Sequence, residues 1–338
     1  MSLRSLVRSL TLLSCLVLAI GCNRSGSGDK IKVAFVTNNP HEFWTYAEKG
    51  CQKGAKEFDV EVIFKRPPQG TPADQQEIVD KLLVMGVKGI AVSPCDAKNQ
   101  AVYFDKVAEQ VSLVTQDSDL PPGSKRICYL GTDNYGAGKA AGQLVKEILP
   151  DGGKIVVLVG SLDAKNAQER RKGVLDELAG VKDAPGPKMY GNYELIDTYT
   201  DDGKQELCKT KVDNVLVQYG NDPSHDPAKL CLVGLWAYNP PAALEAVKSN
   251  AAMKGKVKIV GFDEHEQTLA GIQEGTIHGT VVQAPFEFGY EAVRILAGLA
   301  RNDKKVLPEG GIKYIPHQVI KQADVSAFQA KLKEQRGK

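Results

Sequence analysis

Short apolar runs alternate with longer stretches of helical periodicity from residue 31 almost to the end of this 338-residue chain. That alternation confines it to βαβ units wound around parallel sheets. Residues 31–36, 60–64, 89–93, 111–115 and 127–130 read as strands; 43–58 and 73–85 read as helices, the first opening just after the breaker Pro40. The pattern then repeats, with strands at 154–159, 230–234 and 258–262 and a Gly- and Ala-rich helix at 135–149. A strand at 280–283 returns the chain to the first half, where 286–300 forms a helix. Two similar, discontinuous lobes follow: residues 31–132 with 284–314, and residues 133–283 with 315–322, leaving 323–338 as a tail. A mature length of about 310 residues also exceeds what one core usually serves.

The N-terminus sets the compartment. Arg4 and Arg8 precede an apolar run at 10–20, too short to span a bilayer, and Ala19-Ile20-Gly21 lead into Cys22, the layout of an export signal occupying 1–22. A small residue before a cysteine, with the Ser/Gly-rich tether 23–30 behind it, resembles the lipobox of bacterial lipoproteins. That resemblance implies a lipid on Cys22 and a periplasmic or cell-envelope location, with the membrane reached through the anchor only. Ala19 departs from it, standing where leucine is usual, so plain cleavage after Ala-x-Gly is the alternative.

Loss of the signal removes two arginines and no acid from 43 basic and 41 acidic residues, leaving 41 of each. A neutral chain has no basic stripe for phosphate backbones, and nucleic-acid binding is not expected. Beyond Cys15 and Cys22 stand Cys51, Cys95, Cys128, Cys208 and Cys231. Five cysteines without CxxC spacing support neither a zinc site nor a redox motif, and buried thiols acting as small hydrophobes are expected for most.

Parallel sheets place ligands outside the carboxyl ends of their strands, which in a two-lobed chain means the cleft. The residues following the strands are Asn38-Asn39 with Phe43 and Trp44, Asp117, Thr132, Trp236, Phe262-Asp263 and Gln283, while Arg170 lies early in a helix after Gly160-Ser161. Amides, carboxylates and a guanidinium supply planar donors and acceptors to a ring of hydroxyls, and aromatic faces cover its C–H surface. A strand-end carboxylate such as Asp117 is costly in a cleft unless paired. Asp133 and Asn134 read as a helix cap and hinge.

Asn38-Asn39-Pro40 with its aromatics, Asp117, Thr132-Asp133-Asn134, Ala167-Gln168-Glu169-Arg170, Val260-Gly261-Phe262-Asp263 and Gln283 together resemble the ribose-binding, type I class of periplasmic binding proteins. The likeness covers about residues 30–322. It implies an α/β fold of two doubly wound parallel-sheet lobes joined by a multi-crossing hinge, a monosaccharide or polyol as ligand, and the permease of an ATP-binding-cassette (ABC) importer as partner. It also implies Asn39, Asp117, Arg170, Asp263 and Gln283 as polar sugar contacts and Phe43, Trp44 and Phe262 as stacking rings. Thr132 and Trp236 complete the candidate set. Ser118 replaces the family's arginine after the strand-four aspartate, and Trp236 replaces an asparagine, so a sugar is implied without ribose in particular.

A sensory receptor using the same cleft is the alternative function. An enzyme is disfavoured, because no Gly-x-Ser-x-Gly elbow or nucleophile–base set assembles, and the histidines lack ligand spacing. Gly136-Ala137-Gly138-Lys139 fails as a phosphate loop, since Ala140 stands where Ser or Thr is needed. No cofactor or metal and a monomeric state are expected.

Overall fold

A computed structural model describes residues 30–336; the expected signal, Cys22 and all of the tether before Lys30 lie outside the described residues. From Ile31 onward the chain forms one compact unit. In chain order its elements are β1 (Lys32–Val36), α1 (Trp44–Glu57), β2 (Glu61–Lys65), α2 (Pro72–Val84), β3 (Gly89–Val92), α3 (Ala101–Ala108), β4 (Ser112–Gln116), β5 (Cys128–Gly131) and α4 (Asn134–Ile148). There follow β6 (Gly153–Val159), α5 (Lys165–Ala179), β7 (Met189–Tyr190), β8 (Tyr193–Thr200), α6 (Gln205–Gly220), β9 (Leu230–Gly234), α7 (Asn239–Ser249) and β10 (Lys258–Phe262). The chain ends with α8 (Glu266–Gln273), β11 (Gly279–Val282), α9 (Pro285–Ala300), β12 (Ile312–Tyr314), β13 (Gln318–Ile320) and α10 (Val325–Arg336).

Among the described residues the strands form two sheets, ordered β12-β5-β4-β3-β1-β2 and β13-β11-β10-β9-β6-β8-β7. The first is parallel throughout. In the second, β13 runs antiparallel to β11 and β7 antiparallel to β8, both at the edges. The chain crosses between the sheets after β5, after β11 and after β12.

Both faces of each sheet are covered, and this explains why the strands read as continuous apolar runs. Side chains alternate across β1: Val33 and Phe35 join Ala47, Phe288 and Ala292 of α1 and α9, whereas Ala34 and Val36 join Leu82 and Phe104 of α2 and α3. In β6, Ile155 and Val157 meet α4 and α5, while Val156 and Leu158 meet α6 and α7. Helix starts obey local chemistry: the Thr71 hydroxyl accepts from Asp74 N–H with Pro72 at the first helical position, and Asp133 caps α4 by accepting from Gly136 N–H.

The structure departs from the sequence reading at the C-terminus. Residues 325–336 are helical, and Val325, Phe328 and Leu332 pack into the core beneath the second sheet, so this segment is not a loose tail. All five cysteines in the described residues are free, with four buried and Cys95 half-buried. No helix of the described residues is long and apolar enough to cross a membrane.

Candidate functional site

The carboxyl ends of β1, β4, β9, β10 and β11 face one cleft. Two aspartates anchor it, one from each sheet. Asp117 follows β4 at φ 60° and Asp263 follows β10 at φ 66°, both in the left-handed region that non-glycine residues seldom occupy. Backbone bonds hold the turns: Asp117 N–H donates to Leu130 O (3.2 Å) and Asp263 N–H to Val281 O (2.8 Å). Strain of this kind persists where the surroundings over-determine the conformation, and here it turns each carboxylate toward the cleft.

Arg170 is the centre of charge. Its side chain is 2% exposed, and Nη2 lies 3.5 Å from Asp117 Oδ1. Nε donates to Asn134 Oδ1 (2.9 Å) and Nη1 to Leu235 O (3.0 Å). The guanidinium lies 4.2 Å from the centre of the Phe262 ring. Close helix packing brings it there: a Cβ on Gly138 of α4 would stand 2.2 Å from Arg170 O, so only glycine lets α5 approach this far.

Asp117 Oδ2 accepts from Ser93 Oγ (2.8 Å) and from Asn166 Nδ2 (3.0 Å), a residue one helical turn before Arg170. Asp263 Oδ1 accepts from Gln283 Nε2 (2.7 Å). Burial pushes both carboxyls above the ordinary carboxylate range; Arg170 pulls each back, and the charge of Asp117 adds to the rise at Asp263. On the first lobe's side, Asn39 Oδ1 accepts from His41 N–H (3.0 Å) and Trp44 Nε1 (3.1 Å), which sets the entry to α1. Trp236 packs against the chain at Gly160, where a Cβ would come within 1.9 Å of the indole.

Four buried polar atoms of the lining have no hydrogen-bond partner: Asn166 Oδ1, Arg170 Nη2, Trp236 Nε1 and Gln283 Oε1. Two donors and two acceptors of the lining thus lack a hydrogen bond, Nη2 keeping only its ion pair with Asp117, a pattern matched to hydroxyls, which both donate and accept. The two sides are also bridged directly. His41 Nε2 stands 3.0 Å from Gly203 O with its ring on Tyr238, and Ala97 N–H donates to Asp163 O (3.1 Å). Tyr238 hydroxyl in turn hydrogen-bonds Asp201, whose carboxyl burial pushes up to about 6.

Asn39, Phe43, Trp44, Asp117, Arg170, Trp236, Asp263 and Gln283 all line the cleft. Two expected contacts do not. Phe262 is fully buried behind Arg170, so its face meets the guanidinium and not the cleft, and Thr132 is buried at the first crossing between sheets. Asn38, His41, Asn166 and Tyr238 line it as well. Asn166 was findable from its four-residue spacing to Arg170, which puts both on one helix face. Among the described residues no cluster of His, Cys, Asp or Glu is arranged to hold a metal ion.

A family model described as a periplasmic binding protein domain matches residues 33–304. The ribose import binding protein of Haemophilus influenzae is 23% identical over 276 residues, covering 81% of this chain and 87% of that one. The D-ribose/D-allose-binding protein of Pseudomonas aeruginosa is 25% identical over 323 residues, covering 89% and 94%. Among solved structures, an ABC transporter solute-binding protein from Burkholderia graminis in complex with D-arabinose superposes with a TM-score of 0.77 at 25% identity, covering 88% of this chain and 97% of that one.

Proposed function

Since this chain belongs to the periplasmic binding protein family, we propose that it binds a monosaccharide or related polyol in the cleft and presents it to the permease of an ABC importer. The observation that carries this reading is the set of four buried polar atoms without a hydrogen bond, contributed by α5, the β9–α7 turn and the end of β11, among the residues lining one pocket. Buried polar groups normally find partners, and leaving each unmade costs about 1–3 kcal/mol. Hydroxyls restore those bonds. Phe43, Trp44 and Trp236 offer apolar surface to the C–H faces of a ring. Asn39, Asp117, Arg170, Asp263 and Gln283 are its polar contacts.

Because the lining comes from both sheets, ligand favours the state in which the lobes are together by differential contact alone. The three crossings, near Thr132, Gln283 and residues 314–317, are the hinge. A melting screen over pentoses, hexoses, inositols and sugar alcohols tests the assignment. A ligand at 100 times its dissociation constant should add about 2.7 kcal/mol of stability. Unchanged melting across the whole panel would refute the sugar reading.

The family places the protein in the periplasm. Cys22 and the tether add an anchor to this proposal: the mature N-terminal cysteine carries lipid, and Cys22→Ser should release the protein from membranes with ligand affinity intact. Mass spectrometry of the native protein showing an unmodified N-terminus would dismiss the anchor.

A further inference from the structure

A second space adjoins the cleft. It is roomier than the inner pocket, with a cavity volume of about 450 Å³, and the two share Asn38, Asn39, His41 and Trp236 as a common neck. Its remaining wall is unlike the core: Gln69, Asp96, Ser161, Asp163, Asp202 and Lys204 supply amide, hydroxyl, carboxylate and ammonium groups. Pro68 and Pro72 add apolar surface to the same wall.

The decisive point is when this space is open. The bonds that draw the two sides together, His41 Nε2 to Gly203 O and Ala97 N–H to Asp163 O, are made in the same structure. Gly203 and Asp163 are themselves part of the outer wall. The outer chamber therefore persists with the lobes bridged, and a ligand confined to one ring would leave it filled with water. At the neck, Trp236 Nε1 is a buried donor without a partner, while Asn39 Oδ1 is already saturated by two N–H donors.

We propose that the cleft is a two-unit site, whose ligand is a glycoside: one sugar ring in the inner pocket and a second, hydroxyl-rich unit in the outer chamber, with the glycosidic linkage passing the neck beside Trp236. The mixture of three carboxylates, an amide and one ammonium suits hydroxyls of either hydrogen-bonding sense. Carboxylates outnumber the lysine, so an anionic second unit, such as a sugar phosphate or uronate, is disfavoured by charge.

This inference rests on the sugar-binding reading above, and the experiment separates the two. Calorimetric titration is run with D-glucose, D-galactose, D-arabinose and D-fructose and, in parallel, with maltose, cellobiose, lactose, melibiose and sucrose. At least one disaccharide should bind tenfold or more tightly than either of its component sugars. In a double variant, Asp163→Ala with Lys204→Ala, that disaccharide should lose at least tenfold while a monosaccharide changes less than twofold. Both side chains are exposed, and the retained monosaccharide affinity itself reports folding. Monosaccharides that bind while every disaccharide is excluded or gains nothing would overturn the two-unit site and leave the sugar reading standing. Binding by neither class overturns both.

Discussion

Arg170→Ala should lower the unfolding free energy by about 3–5 kcal/mol, the usual cost of removing one partner from a buried charge pair. The side chain is almost wholly enclosed and serves Asn134, Leu235 O and the Phe262 ring as well as Asp117. Its loss leaves Asp117 and Asp263 buried without the cation that draws their pKa values down. Both carboxyls then hold their protons to higher pH in the folded chain than in the unfolded one. Wherever the folded state binds more protons, stability falls as pH rises, so the damage should be greater at about pH 7.5 than at about pH 5. Arg170→Lys should rescue little, because an ammonium on a flexible stem lacks the fork that reaches several partners at once. Urea denaturation of the three proteins at both pH values reads this directly. A loss below about 1 kcal/mol, equal at both, would show that Arg170 is not the counter-charge of the site.

Asp117→Ala should weaken sugar binding by about 1.5–3 kcal/mol, the scale of a hydrogen bond to a charged group, or roughly 10- to 150-fold in affinity. Alanine is also strained at φ 60°, so Asp117→Asn is the cleaner variant: asparagine tolerates the left-handed conformation and removes only the charge. The wild-type protein should show the same group in its pH dependence. Hydroxyl donors favour the ionised carboxylate, so ligand binding expels protons. Affinity should be full above the raised ligand-free pKa values of Asp117 and Asp263 and fall as pH drops through them, starting above the ordinary carboxylate value of about 4. Stability of the ligand-free chain has the opposite sign: protonation of these groups supports the fold at low pH, and that support is lost as pH rises from about 4 through the raised values. Calorimetry in two buffers of different ionisation enthalpy measures the protons released. Affinity flat from neutrality down to about pH 4.5 in the wild type would remove both aspartates from ligand contact.

Much of the site was legible because a parallel sheet exposes its strand ends to one edge. Asp117, Asp263, Trp236 and Gln283 each follow a strand whose apolar run is readable, so their positions come with the strand. Ser93 follows a strand too, yet a lone serine carries no chemical signal until its hydroxyl is seen on Asp117. The sequence puts Phe262 beside Asp263 at the cleft, but a strand end offers two directions: Asp263 lines the cleft, and its neighbour packs against Arg170. Helix α10 was missed since its apolar positions, Val325, Phe328 and Leu332, are few and lie among charges.

Legible along the chain were the βαβ alternation, the apolar runs that require sheets covered on both faces, the near balance of 43 basic and 41 acidic residues, and the kinds of residue at the strand ends. These follow from periodicity and composition, which are local. Which of those residues meet is fixed by the folded chain. The left-handed turn at both aspartates, the approach of α5 to α4 over Gly138, the four polar atoms left without partners and the chamber beyond the neck all depend on where distant segments stop against one another. Close packing fixes such distances to fractions of an ångström, and no periodicity in one dimension encodes them.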